Sequence, residues 1–493
     1  MSKEDQHVTA PEDRIPLGQK LSYGLGAFTN NLLADAYGRM SIVLNLGLGM
    51  SPALAGLVTS LPRIVDAITD PLMGYTSDNT RSRWGRRRPY IFIGAILVGI
   101  VFALMWQFPE GKSEMYYFWY FLGASIVFFI AYTIFITPWV ALGYEMTPDY
   151  HERTRLMGMQ NFIGQITYMV TPWLLAIMAD KTWFDSLVDG AASLGVIIGV
   201  IVIAVGLLPA IFIRERMTPD NSPLPEAAAS TEPRESFLTA LGRNMRSFIA
   251  GFATSLKFKP FLKLCIATFL VFNGFMLISS FQSYVIIYYI FAGDTELGGK
   301  WVGISGTVQA FSSFLVIVLV TQVATRFGKR KTFFAAIGLS MIGYALKWFC
   351  YNPDIPWLLV LPAPLMAFGL GALFTLMPSM VADVVDADEL NTHERREGMY
   401  GSIFWWVVKL GVAAALAAGG VLLQATGFDE ALGGAQAERT LTLLRFFDAF
   451  IPVVTSAIAI YAIATFSITE ERAHEIRAEL EARRGAGDAA AAT

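Results

Sequence analysis

Long apolar stretches, each followed by a polar connection, run along almost the whole chain of 493 residues. A helix needs roughly 20 mostly apolar residues to cross the hydrocarbon core of a bilayer. Twelve stretches meet this condition, near residues 21–48, 52–78, 89–107, 115–146, 156–180, 190–213, 260–291, 300–325, 332–351, 356–384, 398–425 and 440–468. The pattern therefore predicts an all-α membrane protein with twelve transmembrane helices.

Basic residues are concentrated in alternate connections, of which 79–88, 214–259 and 326–331 are the richest. Because cytoplasmic loops carry an excess of lysine and arginine, both termini and the central connection are predicted to be cytoplasmic. The chain then divides into a cytoplasmic tail, a six-helix half, a linker with an amphipathic helix, a second six-helix half and a cytoplasmic tail. These parts are predicted at residues 1–20, 21–213, 214–259, 260–468 and 469–493.

An internal repeat supports this division. The stretch TRSRWGRRRPYIFIGAIL around Gly85 resembles ATRFGKRKTFFAAIGLS around Gly328, and HERTRLMGM from His151 resembles HERREGMYG from His393. The offsets agree closely, since 328 minus 85 is 243 and 393 minus 151 is 242. Duplicated six-helix halves are typical of transporters whose substrate site lies near the middle of the membrane.

Composition agrees with a membrane location and excludes other classes. Hydrophobic residues make up 54% of the chain and charged residues 16%, against about 25% charged in soluble domains. A net charge of −3 gives no reason to expect a nucleic-acid partner. Cys265 and Cys350 lie in separate apolar stretches, so no disulfide framework is predicted, and the polar start predicts no cleavable signal peptide. We find no motif for a metal cluster, a catalytic nucleophile or a phosphate loop, so neither an enzyme nor a cofactor is predicted.

Two acids stand inside the second apolar stretch, "RIVDAITDP". At about 100° per residue, Arg63, Asp66 and Asp70 share one helical face. A charge at the bilayer centre costs at least about 2.5 kcal/mol, and neighbouring carboxylates repel unless a cation lies between them or one is protonated. Carboxylate oxygens are also ligands that hard cations prefer. The pattern favours a sodium or proton site, and the alternative is a structural salt bridge to Arg63 or to Lys409 in the eleventh span.

Several motifs fall in order along most of the chain: LSYGLGAF, RIVDAITDP, TRSRWGRRRP, AYTIFITPW, MVADVVD and WWVVKLG. Together they resemble the melibiose permease-like family of glycoside–pentoside–hexuronide:cation symporters, which belongs to the major facilitator superfamily. The resemblance implies the major facilitator fold and cation-coupled symport of a sugar, glycoside or hexuronide by alternating access. It also implies a multi-pass protein of the cell inner membrane, here predicted to be a monomer with the lipid bilayer and a small polar substrate as its partners.

The resemblance assigns the cation site residue by residue. It implies that Asp66 and Asp70 hold the coupling ion, that Thr133 of the fourth span assists, and that Thr69 offers a further oxygen. Lys409 corresponds to a buried lysine of the eleventh helix. Because both acids are present, sodium coupling at Asp66 and Asp70 stays possible beside proton coupling.

The family's sugar-binding pattern is less well matched. Where the family has two acids, a tryptophan and an arginine, this chain has Asn31, Ile136, Val140 and Asn161. The resemblance therefore does not extend to α-galactoside specificity.

Other residues offer a polar substrate site. Asp35 and Arg39 follow Asn31 at intervals of one helical turn, and the alternative is that they form only an i,i+4 ion pair. The substrate-binding candidates are Asp35, Arg39, Asn31, Tyr37, Trp139, Asn161, Gln165, Asn273 and Gln282. Trp139 would stack on a sugar face, with packing as the alternative. Lys347 and Asp448 are predicted to form a structural pair or to reach towards the membrane surface.

The stretch GYTSDNTRSRWGRRRP resembles the loop between the second and third helices of major facilitator proteins. The resemblance implies a cytoplasmic latch, in which Asp78 and the loop arginines pair with charged groups at other helix ends. The predicted gate residues are Asp78, Arg81, Arg86, Arg87, Glu145, Asp383 and Asp386, with Glu152 as a further partner. The alternative is that the arginines only orient the chain.

Two other functions remain open from the sequence. One is symport of an amphiphile such as a lysolipid on the same scaffold, for which Asp35 and Arg39 would bind the headgroup. The other is a membrane sensor that binds a ligand without moving it. The paired acids argue against a sensor, because a sensor needs no coupling ion.

Overall fold

The computed structural model describes residues 10–78, 80, 82–215, 255–393 and 396–491. Across these residues the regular secondary structure is helical, with no strand. The prediction of an all-α protein is therefore confirmed. Arg81 and most of the predicted linker, including its amphipathic helix, lie outside the described residues.

The described residues form two compact units. The first contains residues 10–215 together with Thr295–Gly303, and the second contains residues 255–294 and 304–491. The α-helices of the first unit are α1 (Leu17–Met40), α2 (Ile42–Leu46), α3 (Pro52–Ser60), α4 (Pro62–Asp78), α5 (Arg88–Met105), α6 (Glu114–Glu145), α7 (Tyr150–Val170), α8 (Leu174–Met178) and α9 (Leu187–Phe212).

The second unit contains longer helices on average. They are α10 (Lys259–Tyr284), α11 (Thr295–Phe327), α12 (Lys329–Cys350), α13 (Ala363–Thr392), α14 (Glu397–Ala425), α15 (Glu438–Ala464) and α16 (Glu470–Ala491). The start of α11, Thr295–Gly303, belongs to the first unit. A π-helical segment, Val285–Ile290, continues α10. Short 3-10 turns lie at Pro11–Asp13, Thr171–Trp173, Pro356–Val360 and Glu430–Leu432.

Nine helices within the described part of the chain are long and apolar enough to cross a membrane. The other three predicted spans, 21–48, 52–78 and 156–180, correspond to interrupted helices: α1 with α2, α3 with α4, and α7 with α8. Interruption and polarity both explain why these three do not stand out: α3 and α4 have only 9 and 17 residues, and α4 contains Arg63 and three aspartates. Each of the twelve predicted spans thus coincides with helix.

Local sequence signals set the helix starts around the site. Pro62 opens α4, and proline suits a first helical turn because its missing N–H has no helical partner there. The Asp149 carboxylate caps α7 by accepting the backbone N–H of Glu152 at 2.7 Å. Ser113 caps α6 in the same way, accepting the N–H of Tyr116 at 3.3 Å.

Close helix contacts fix the position of α6 in the first unit. This helix packs between α4 and α5, and α5 packs in turn against α9. A Cβ atom added to Gly94 of α5 would lie 2.6 Å from the Phe135 backbone nitrogen of α6, and one on Gly99 would lie 2.7 Å from the carbonyl oxygen of Gly199 in α9. Small residues allow membrane helices to approach this closely.

The core of the second unit gathers around α10. This helix packs against α13, α14 and α15, and α16 packs against α13. Ile476 and Leu480 of α16 are 3% and 4% exposed and belong to the same apolar core as Phe261 and Phe404. The predicted C-terminal tail therefore begins with a helix that is attached to the second unit by buried side chains.

Candidate functional site

The facing surfaces of α4 and α6 bring three predicted cation-site residues together. The Thr133 hydroxyl donates to Oδ1 of Asp66 at 3.3 Å, and the hydroxyl oxygens of Thr133 and Thr69 are 3.0 Å apart. Asp66 is 2% exposed and Thr133 is 1% exposed. A buried carboxylate thus accepts one threonine hydroxyl from α6, and that hydroxyl in turn lies next to the Thr69 hydroxyl of α4.

A second pair lies one helical turn further along both helices. The Thr137 hydroxyl donates to Oδ1 of Asp70 at 3.2 Å. Asp66–Thr133 and Asp70–Thr137 are each separated by 67 positions, so the two contacts repeat in register. Asp70 and Thr137 are partly exposed, whereas the first pair is buried. We did not predict Thr137, although its spacing of four residues from Thr133 matches the spacing of the two acids.

Arg63 lies beside the acids on α4 and faces aromatic rings. Its guanidinium carbon is 4.8 Å from the ring centroid of Phe129 and 5.6 Å from that of Tyr37. Such cation–π contacts stabilise a desolvated guanidinium. Lys409, the other predicted charge partner, lies in α14 of the second unit.

A chain of side-chain hydrogen bonds connects α6, α1 and α7 next to this site. The Tyr132 hydroxyl donates to Oδ1 of Asn30, and Asn30 donates to Asn31 at 3.0 Å. Asn31 then donates to the carbonyl oxygen of Gly164 at 3.0 Å. Asn31, a predicted substrate residue, therefore joins helices within the unit. Tyr132 and Asn30 were not predicted, because a lone tyrosine or asparagine in an apolar stretch carries no spacing signal.

Asp35 and Arg39 form the i,i+4 ion pair that the sequence left as an alternative. Arg39 Nε lies 2.6 Å from Oδ2 of Asp35, and the side chains are 32% and 23% exposed. The hydroxyl of Thr171, at the turn after α7, also donates to Asp35. Thr171 is buried, so the cluster combines an internal pair with a partly exposed polar surface at Asp35 and Arg39. Asn161 is exposed and Gln165 partly exposed on α7.

Two aromatic candidates for the substrate site are engaged inside the first unit. Trp139 is 1% exposed, donates from Nε1 to the carbonyl oxygen of Tyr23 at 3.2 Å, and stacks on the Tyr23 ring with a centroid distance of 4.9 Å. Tyr37 is fully buried and contacts Phe128 at a centroid distance of 5.6 Å. Both rings pack against neighbouring aromatic rings. The sequence alone could not distinguish this packing from stacking on a sugar.

The candidates of the second unit are bonded within that unit. Asn273 donates to the carbonyl oxygen of Phe269 in its own helix at 2.8 Å, and Gln282 donates to the Ser305 hydroxyl at 3.2 Å. Lys347 Nζ lies 2.5 Å from Oδ2 of Asp448, and both side chains are 1% exposed. Because unpaired buried charges are costly, this pair is the structural one that the sequence predicted.

The predicted gate residues of the first unit form a compact ion-pair network. Arg87 lies 2.6 Å from Asp78 and 2.5 Å from Glu145, and Arg86 lies 2.6 Å from the same glutamate. Glu215 was not predicted, yet its carboxylate accepts the backbone N–H groups of Arg86, Arg87 and Arg88 at 2.6, 2.8 and 2.8 Å. These N–H groups open α5, where a helix dipole favours a negative charge.

Asp383 and Asp386, the predicted gate acids of the second half, have basic neighbours within the second unit. Asp383 binds Lys329 at 2.7 Å, and Asp386 lies 3.9 Å from Arg477 of α16. Both partners belong to the second unit. The physical reason is the internal repeat, because each half carries its own basic loop and its own acids.

Glu152, predicted as a further gate partner, lies just before the predicted fifth span. It attaches the N-terminal segment of the chain to α7. It is 2% exposed, lies 2.7 Å from Lys20 Nζ, and accepts the backbone N–H of Ile15 at 2.9 Å. Burial alone would raise the pKa of this carboxyl, but the bonds from Lys20, Ile15 and Arg155 outweigh it and hold the pKa below its usual value.

Comparison with known proteins identifies the class. Residues 22–470 match the family described as MFS/sugar transport protein. The chain therefore belongs to this family of membrane transporters, as the sequence motifs indicated, and it is not an enzyme. No group of three or more His, Cys, Asp or Glu side chains suited to a metal ion occurs among the described residues.

Individual relatives extend over nearly the whole chain. A protein named as an uncharacterized symporter in Synechocystis sp. is 28% identical and covers 96% of this chain and 98% of its own length. A glucuronide carrier protein homolog of Escherichia coli is 24% identical, covering 94% and 95%. An isoprimeverose transporter of Lactiplantibacillus pentosus is 23% identical, covering 95% and 93%.

Solved structures share the fold. An inward-facing bacterial homolog of the human lysosomal transporter Spinster superimposes with a TM-score of 0.63 at 16% identity, covering 91% of this chain and 98% of that one. The xylose transporter XylE of E. coli gives a TM-score of 0.57 at 14% identity, covering 91% and 98%. The major facilitator fold is confirmed.

Proposed function

We propose that this protein is a secondary active transporter that couples the movement of a cation to the uptake of a sugar, glycoside or hexuronide. Membership of the MFS/sugar transport family supports transport, and relatives named as a glucuronide carrier homolog, an isoprimeverose transporter and a glycoside/cation symporter support the substrate class and the coupling. Neither a lysolipid carrier nor a sensor is favoured by any of these relatives.

The observation that carries the coupling is the arrangement of two carboxylates and three hydroxyls between α4 and α6. Asp66 and Asp70 contribute negative charge inside an apolar unit, and Thr69 and Thr133 lie at hydrogen-bond distance from each other. Hydroxyls satisfy the hydrogen-bonding capacity of a carboxylate without neutralising its charge. A sodium ion or a proton that binds here adds positive charge next to both acids.

Coupling then follows from linkage. A cation that lowers the electrostatic penalty of closing the site favours the conformation that also binds substrate, and the substrate strengthens cation binding by the same factor. Sodium is the ion that we assign, because several converging oxygens are what a hard metal cation requires, whereas a proton needs only one carboxylate.

The substrate component of the proposal rests on Asp35, Arg39 and Thr171. The Asp35 and Arg39 side chains are partly exposed, and the buried Thr171 hydroxyl donates to Asp35. A carboxylate suits sugar hydroxyls as a hydrogen-bond acceptor, and an arginine suits the carboxylate of a uronic acid. Asn161 and Gln165 extend this polar surface along α7.

The location and the gate complete the proposal. We place the protein in the inner membrane with both termini in the cytoplasm. The basic loop 79–88 then lies at the cytoplasmic face, where the pairs of Arg86 and Arg87 with Glu145 act as a latch that opens and closes during transport.

The test begins with a thermal-shift screen of sugars, glycosides and uronic acids, with and without sodium, to identify a substrate. Purified protein in liposomes is then given an inward sodium gradient or an acid pulse. We expect accumulation of substrate by the unaltered protein and none by Asp70→Asn, because the neutral amide cannot balance a cation. Asp180→Asn is the control, since this aspartate lies outside the proposed cation site and accepts the backbone N–H and the hydroxyl of Thr182.

Accumulation against a gradient by Asp70→Asn would overturn the assignment of the cation site. Substrate movement that follows only its own gradient, in the unaltered protein, would overturn coupling altogether.

A further inference from the structure

The two contacts between α4 and α6 form a regular ladder. Asp66 and Thr133 make the first pair and Asp70 and Thr137 make the second, one helical turn further on. Residues four apart lie on the same face of a helix. The ladder therefore extends the cation site beyond the residues that the family resemblance assigned.

The Thr137 hydroxyl points across to another helix. Threonines elsewhere in the first unit bond back to the carbonyl four residues earlier, as Thr29 does to Leu25 at 3.0 Å and Thr76 does to Leu72 at 2.7 Å. Such back-bonding is the common arrangement for threonine within a helix. The Thr137 hydroxyl instead donates to the Asp70 carboxylate on α4 at 3.2 Å.

A hydroxyl in this position has two functions available. It donates its proton to the carboxylate when no cation is present, and its oxygen lone pairs accept or coordinate when a cation lies between the groups. A valine of the same shape would retain the packing and lose both functions. The chemistry of the residue thus suits a ligand that must release and rebind an ion.

Exposure changes along the ladder. The Asp66–Thr133 pair is buried and the Asp70–Thr137 pair is partly exposed. Asp70 is also nearer to the end of α4 that leads into the basic loop 79–88. An ion that leaves the buried pair towards this loop passes the second pair on its way.

We propose that Thr137 is a ligand of the coupling cation and that, together with Asp70, it forms an exit pair on the side of loop 79–88. The proposal rests on the proposed cation-coupled transport and adds one residue and one direction to it. The ion passes from the Asp66–Thr133 pair to the Asp70–Thr137 pair. When it leaves a carboxylate, that carboxylate still accepts a hydrogen bond from its paired threonine.

Sodium binding to the purified full-length protein in detergent, measured by isothermal titration calorimetry without sugar, tests this proposal. We expect Thr137→Val to weaken sodium binding by about tenfold or more, since a charge-assisted contact is lost. Thr137→Ser keeps the hydroxyl and should bind within about threefold of the unaltered protein. Thr76→Val is the matched control, because its hydroxyl bonds to its own helix, and it should leave sodium binding unchanged.

Sodium affinity of Thr137→Val equal to that of the unaltered protein would overturn the role of Thr137. If Asp70→Asn still abolishes sodium binding in that case, the proposed function stands without it. Absence of sodium binding in the unaltered protein would also overturn the inference, and acid-driven accumulation in liposomes would then decide separately whether cation coupling survives. Thr137→Ala provides the same comparison if the valine variant does not fold.

Discussion

A carboxylate held by a hydroxyl behaves differently from one held by a basic side chain. A lysine or arginine neutralises the acid permanently, whereas a threonine fills its hydrogen bonds and leaves the charge in place. Thr133 and Thr137 each donate such a hydroxyl, to Asp66 and Asp70 respectively. The two threonines therefore add hydrogen bonds that do not themselves cancel the charge of the acids.

Asp35 offers a test of the substrate site at the same scale. Replacement by asparagine removes the charge that accepts from Arg39 and Thr171. We expect Asp35→Asn to weaken substrate binding by about tenfold, as for loss of a charged hydrogen bond, and to leave sodium binding within about twofold. Calorimetry with the substrate found in the thermal-shift screen provides the measurement.

Glu296→Gln is the matched control for this variant, because Glu296 forms an i,i+4 pair with Lys300 at 2.8 Å on the surface of α11. The Glu296→Gln variant should bind substrate with the same affinity as the unaltered protein. An Asp35→Asn variant with normal substrate affinity would remove this cluster from the substrate site.

The sequence alone could identify some residues of the candidate site but not others. Charge in an apolar stretch was enough to single out Asp66 and Asp70. Thr137 required the register between α4 and α6, which is a property of packing. Tyr37 and Trp139 were predicted as substrate residues from their chemistry, but an aromatic ring looks the same in sequence whether it stacks on a neighbour or on a ligand.

At the scale of helices, the apolar pattern located the spans. Capping residues and prolines set the limits of the individual helices. The apolar pattern did not reveal the interruptions, because Ser41 and Leu61 each lie within a stretch that is apolar enough overall to be read as one continuous span. The polar helices α1, α4 and α7 are less apolar than the others because they provide the candidate polar side chains. Their polarity is thus a consequence of the site.

The docking of the N-terminal segment onto α7 through Glu152 makes a prediction about pH. The folded state holds the pKa of Glu152 below its usual value, so its contribution to stability is present above the unfolded pKa of about 4.3 and is lost as pH falls through the folded value. We expect Glu152→Gln to unfold at a lower temperature than the unaltered protein at pH 7. The difference should shrink below about pH 4.

Thermal unfolding of both proteins in detergent across this pH range is the measurement. Arg155 contacts the same carboxylate from a more exposed position, so Arg155→Gln should have a smaller effect. A gap between Glu152→Gln and the unaltered protein that widens with acidification would contradict the anchoring role.

The whole molecule repeats one local design. Gly85 and Gly328 both have positive φ angles, of 102° and 84°, and each lies against a carboxylate of its own unit, Glu215 and Glu470. The sequence revealed the repeat in the basic loops because those residues are contiguous. It did not reveal the acids, since Glu215 lies 129 positions from Arg86.

The same repeat explains the contacts of Asp383 and Asp386 within the second unit. From sequence, any acid near a helix end could pair with any basic loop. The structure pairs Asp383 with Lys329, so the ion pairs recur within each unit.

Cation uptake driven by substrate is the most direct test of the central claim that a positive ion travels with the substrate by way of Asp66 and Asp70. Liposomes containing the protein receive an inward substrate gradient without any cation gradient, and entry of radioactive sodium and internal pH are recorded together. We predict that substrate drives sodium inward and that Asp66→Asn abolishes this flux. Entry of substrate accompanied by neither sodium nor protons would contradict the account.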